Sequence, residues 1–83
     1  DKWISMGDKG DNKKKKINLK KFQVNDKLMA LANNNAIYLH VLPAARGEEV
    51  TPSIIDGKQS LVWTQAENRL HGQKAIIDWC LSN

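Results

Sequence analysis

Three polar clusters hold the side chains able to do chemistry. The first is Asp1 with the loop Ser5-Met6-Gly7. The second is His40-Val41-Leu42-Pro43. Its imidazole can hydrogen-bond an oxygen or relay a proton near neutral pH. The third is Glu67, Asn68, Arg69 and His71. Arg69 offers a fixed fork of donors suited to a phosphate or a polarised carbonyl oxygen. A helix N-terminus nearby adds favourable potential for an anion. Each cluster also has a structural reading. A histidine closing an apolar run can simply pack. Glu67 and Arg69 are two apart and do not share a helix face. His71 lies four residues after Glu67, so the two can brace a helix.

The elements that must position these clusters follow from the pattern. Lys2-Trp3-Ile4 reads as the end of a strand, and Ser5 to Gly10 as a loop punctuated by glycine and small polar residues. Residues 11–21 read as a helix capped by Asp11 or Asn12. Asn25 caps a second short helix, Asp26 to Ala32, which Asn33-Asn34-Asn35 ends. Ala36 to His40 is apolar without alternation, which fits a buried parallel strand. Pro43 stops its ladder. Thr51 caps a short helix with Pro52 at its first position, and Gly57 ends it. Ser60 to Trp63 is a further short strand. The longest helix then opens at Thr64 or Gln65 and runs to about Leu81. Ala66, Leu70, Ile77 and Leu81 form its apolar stripe, widened by Ile76 and Trp79. Strand and helix alternate, so the expected fold class is α/β, layered around a parallel sheet. In such sheets, ligands bind beyond the carboxyl ends of the strands, where the three clusters fall.

Composition bounds the rest. The chain has 83 residues and a single cysteine, Cys80, which excludes an internal disulfide and a zinc-finger spacing. No metal or cofactor is expected. No apolar run approaches the roughly 20 residues of a membrane span. No signal peptide is evident at the first residues, so a reducing, cytoplasmic setting is expected. The net charge of +4 is uneven. Residues 1–27 hold nine Lys against four Asp, centred on Lys13-Lys14-Lys15-Lys16. The tract fits either an anionic partner or a solvated helix face. It has no arginine and no interleaved aromatic for base stacking, so neither nucleic acid nor membrane is expected as a partner. Two or three parallel strands need neighbours to cover both faces. The 83 residues are therefore expected to be the C-terminal part of a larger fold.

These clusters resemble one family. Asp1-Lys2-Trp3-Ile4-Ser5-Met6-Gly7 resembles the ornithine-side loop of ornithine carbamoyltransferases. His40-Val41-Leu42-Pro43-Ala44 is similar to their His-Cys-Leu-Pro-Ala segment, and Arg46 to Thr51 to the stretch that follows. Glu67-Asn68-Arg69-Leu70-His71-Gly72-Gln73-Lys74 resembles their late helix. The motifs cover nearly all of the chain in the right order.

The resemblance implies carbamoyl transfer from carbamoyl phosphate to the side-chain amine of L-ornithine, giving citrulline and phosphate. It implies a doubly wound parallel sheet in a three-layer αβα domain, and a homotrimer. Residues 1–63 would be the later part of the ornithine-binding domain. Residues 64–83 would form a helix packing back toward a carbamoyl phosphate domain that lies outside this chain. Asp1 would orient the ornithine amine, with Ser5 and Met6 on the amino-acid end. The Leu42 carbonyl would accept from the carbamoyl amide. Arg69 would hold the carbamoyl oxygen, and His40 would organise its loop. One position departs from the pattern, because Val41 stands where the family has cysteine. Valine can neither exchange a proton nor accept a hydrogen bond. That departure leaves three expectations: retained transfer to ornithine, transfer to another amine such as putrescine, or a non-catalytic relative with a basic interaction surface.

Overall fold

The computed structural model of the chain describes residues 1–5 and 7–83. The expectation for Met6 lies outside the described residues. Among the described residues four α-helices follow one another: α1 (Asn12–Leu19), α2 (Asp26–Met29), α3 (Pro52–Ile55) and α4 (Val62–Ser82). A 3-10 turn, Lys20–Phe22, extends α1.

Local chemistry accounts for most of their limits. Asp11 accepts the Lys14 N–H at 3.0 Å and so satisfies one orphan donor of α1. Asn25 accepts the Leu28 N–H at 2.9 Å and caps α2. α2 is shorter than the pattern predicts, ending at Met29. The Asn33 side chain accepts from the Asn35 N–H at 2.9 Å, which folds the asparagine run into a turn. Pro52 opens α3 as expected, but Thr51 makes no side-chain cap; its hydroxyl pairs with Ser53 at 2.9 Å instead. Gly57 follows α3 where a Cβ would lie 2.3 Å from the Ser53 carbonyl oxygen.

The expected strands at 36–40 and 60–63 shrink to one parallel bridge, Tyr38 with Ser60. Outside the expected strands, Val24 and Arg46 each bridge to Val50 in parallel. The Tyr38 N–H donates to Gln59 O at 2.8 Å and the Leu61 N–H to Tyr38 O at 3.0 Å. The ladder stops there because α4 begins at Val62, two residues before the expected start. Val62 is fully buried as part of that helix rather than of a strand. Lys2-Trp3-Ile4 includes a bend and not the end of a strand. Among the described residues there is thus helix plus parallel bridging, and no extended sheet.

Val50, Ile54, Ile55 and Val62 form the buried core, with Val24, Met29, Tyr38 and Ala44 packed around it. α2 packs on α3 over this cluster. The apolar stripe of α4 does not join it. Leu70, Ile76, Ile77, Trp79 and Leu81 are each at least 60% exposed. The Cα envelope measures 51 × 38 × 16 Å. A helix with its side chains is about 10–12 Å across, so the thin dimension accommodates two layers at most. No helix among the described residues is long and apolar enough to cross a membrane.

Candidate active site

The bridge at Tyr38 delivers His40 to the head of α4. There the His40 N–H donates to Gln65 Oε1 at 3.0 Å. The imidazole is buried, and its Nε2 lies 3.1 Å from Glu49 Oε1. The same carboxylate oxygen accepts the Ala45 N–H at 2.8 Å. Nδ1 contacts the Val41 carbonyl oxygen. Both ring nitrogens are therefore engaged by groups of the chain itself. The ring ties residues 40–41 to Glu49 across the loop that contains Leu42 and the cis Leu42–Pro43 peptide.

Glu49 is held in turn. Burial pushes its carboxyl up, but the N–H groups of Ala45 and Glu49 itself, and the His40 ring, bring it on balance below its ordinary value. Its second oxygen, Oε2, is buried without a hydrogen-bond partner. Gly47, at φ +88°, turns the segment that carries it. The buried Gln23 amide donates to Gly47 O at 2.9 Å and to Glu48 O at 2.8 Å. The Val24 N–H bonds Glu49 O at 2.9 Å, and the Thr51 N–H bonds Val24 O at 3.0 Å. Tyr38, edge-on to His40 at 6.2 Å, has its phenol pushed up by burial and by the Glu49 charge.

Two recesses meet at this strut. The larger, about 540 Å³, is lined by Asp1, Tyr38, His40, Val41 and Gln65 among others. The smaller, about 200 Å³, is lined by His40, Val41, Leu42, Gln65, Ala66 and Arg69. Five of the residues singled out from the sequence thus gather around one ridge: Asp1, His40, Val41, Leu42 and Arg69. Ser5 lines neither recess. Its N–H donates to Asp8 Oδ2 at 2.9 Å, while its carbonyl accepts the Asp8 N–H at 3.1 Å. The Ser5 N–H, with Lys15 at 3.2 Å, holds the Asp8 carboxyl below its ordinary value.

One expectation changes with the geometry. Because α4 starts at Val62, Arg69 is its eighth residue. It lies beyond the first turn, to which the helix-end potential is confined. Its own guanidinium supplies the positive charge. Glu67 and His71 stand 3.5 Å apart on the exposed helix surface, as the bracing reading has it. Lys16 of the basic tract pairs with Glu48 at 2.6 Å, and Lys15 with Asp8, whereas Lys13 and Lys14 are exposed. Among the described residues no cluster of three His, Cys, Asp or Glu side chains is placed to hold a metal ion.

Sequence reasoning did not single out Gln23, Glu49 or Gln65 for a role. Their partners lie 24, 9 and 25 residues away in the chain. No local spacing reveals such pairs.

A parallel-bridged segment ending in a polar loop, facing the first turns of a helix, is the loop-end site of an α/β fold. Comparison with known proteins is specific about which. The model of the aspartate/ornithine carbamoyltransferase Asp/Orn binding domain matches residues 1–80. An ornithine carbamoyltransferase of Rhodopseudomonas palustris is 59% identical over 98% of this chain and 26% of that protein. The solved ornithine carbamoyltransferase of Pyrococcus furiosus superposes with a TM-score of 0.80 at 47% identity, covering 90% of this chain and 24% of that one. That of Campylobacter jejuni superposes with a TM-score of 0.81 at 37% identity, covering 94% and 26%. The chain belongs to the aspartate/ornithine carbamoyltransferase family, in its Asp/Orn binding domain. It spans about a quarter of the length of the relatives it matches.

Proposed function

We propose that the full-length protein transfers a carbamoyl group from carbamoyl phosphate to the side-chain amine of L-ornithine. The observation that carries this reading is the smaller recess, where Arg69 and Leu42 line one space. In this reading Arg69 binds the carbamoyl oxygen and stabilises the charge that develops on it. The Leu42 carbonyl accepts from the carbamoyl amide. Asp1 orients the incoming amine in the larger recess, and Ser5 and Met6 meet the amino-acid end of ornithine. The amine nitrogen attacks the carbonyl carbon, the bond to the phosphate oxygen breaks, and the nitrogen sheds its proton. Val41 cannot take that proton, so Asp1 and solvent serve. His40, whose two ring nitrogens are already engaged, holds the loop in place.

The same reading extends to the whole molecule. Residues 1–63 belong to a doubly wound, three-layer αβα ornithine domain. Residues 64–83 pack their apolar stripe back onto a carbamoyl phosphate domain. The protein works as a cytoplasmic homotrimer in arginine metabolism, without a cofactor.

The test is citrulline formation from carbamoyl phosphate by the full-length chain, with putrescine as a competing amine. Arg69→Ala is expected to lower kcat by about 100-fold or more, the usual cost of one donor to a developing oxyanion. Unchanged turnover in that variant removes the role given to Arg69. Preference for putrescine would reassign the acceptor. The 83 residues alone are expected to give no turnover.

A further inference from the structure

We propose that Gln65 is the positioning residue that sets Arg69 against the Leu42 loop, an inference that rests on the carbamoyl-transfer reading above. Three observations carry it. Gln65 Oε1 accepts the His40 N–H at 3.0 Å, so it grips the residue from which the loop departs. Gln65 is four residues before Arg69 on α4, which places the two on one face, one turn apart. Both line the smaller recess with Leu42.

The burial pattern shows why this single bond matters. Val62 is fully buried and anchors the head of α4. Gln65 is half-buried, and every residue from Ala66 onward is exposed. Apolar contact at Val62 is non-directional, so it sets how deep the helix sits but not its rotation. A hydrogen bond is directional. Together with the Leu61 N–H to Tyr38 O bond at 3.0 Å on the residue before the helix, the Gln65–His40 bond therefore fixes the helix about its own axis, and it is the one nearer Arg69. Arg69 follows about 6 Å further along that axis, at the helical rise of 1.5 Å per residue. Reaction rates are sensitive to displacements of about 1 Å between reacting groups, at a cost near 100-fold. Loss of the Gln65 acceptor would also strand the buried His40 N–H without a partner.

The experiment compares the full-length wild type with Gln65→Glu, Gln65→Met and Gln65→Ala. Glutamate keeps the acceptor and loses the amide donor; methionine keeps the length and loses both. The expected result is kcat within about threefold of wild type for Gln65→Glu and lower by about 10- to 100-fold for Gln65→Met. The KM for ornithine stays within about threefold in both, because the groups this reading gives to ornithine, Asp1 and the Ser5-Met6 pair, are unchanged, although Gln65 also lines the larger recess. Hydrogen exchange at the His40 amide should accelerate in Gln65→Met and not in Gln65→Glu. Should Gln65→Met fail to fold, Gln65→Ala carries the same comparison. Wild-type turnover in Gln65→Met overturns the proposal. An equal fall in Gln65→Glu with His40 exchange unchanged overturns it too, since turnover would then not follow the Gln65–His40 bond. No citrulline from the wild type would instead sink the reaction, and His40 exchange would still report on the Gln65 bond.

Discussion

Glu49 is 3% exposed and holds an imidazole and a backbone amide with one oxygen. Its carboxyl sits below its ordinary value near 4.5 because those donors outweigh the burial that pushes it up. A depressed carboxylate stabilises the fold above its unfolded value. That stabilisation is lost as pH falls through the folded value. Glu49→Gln in the full-length chain should thus cost about 2 kcal/mol at pH 7, the scale of a hydrogen bond to a charged group. The deficit should shrink as pH drops below 4.5. Urea unfolding across pH 3–7 reads both, and an acid limb unchanged in slope would show that another group is responsible. The Arg46–Asp56 pair, bidentate at 2.8 Å on each arm, lies exposed, and a surface pair of this kind contributes little.

The elements show where short-range chemistry was enough. The caps at Asp11 and Asn25 and the proline at the start of α3 are readable from residue types alone, since each acts within four residues. Gly57 is a sharper case. The sequence marks it as a helix end, but the backbone approach explains why no side chain is tolerated. Gly57→Ala would press a methyl group against the Ser53 carbonyl oxygen, at 2.3 Å before relaxation. We expect a loss of about 1–3 kcal/mol, as for an overpacked site, measured by denaturant midpoint. A neutral result would mean that the end of α3 opens freely. Strands are less local than helix caps. Apolar runs at residues 36–40 and 60–63 look like strands, yet among the described residues each forms one bridge. Pairing depends on distant chain, and the burial of Val62 draws residue 62 into helix instead.

At the largest scale, the described residues leave the α4 stripe uncovered. An amphipathic helix buried on nothing is unusual, because most helical stability comes from packing of the apolar face. Ile77, 60% exposed here, lies in the middle of the stripe. Ile77→Lys should lower the melting temperature of the full-length protein by several degrees, consistent with losing roughly 1.5–3 kcal/mol of burial. It should leave the unfolding of residues 1–83 alone nearly unchanged. Equal effects in both would place the cover of the stripe within these residues.

Family membership, the order of the three polar clusters and most helix ends were settled by the sequence itself, because motifs and caps are local in the chain. The absence of a thiol at residue 41 was equally plain. Only the tertiary structure decided that Asp1, His40, Val41, Leu42 and Arg69 share one ridge, and that Gln23, Glu49 and Gln65 hold it. Those contacts join residues far apart in the chain, and backbone hydrogen bonds and burial choose such partners without leaving a local spacing to read.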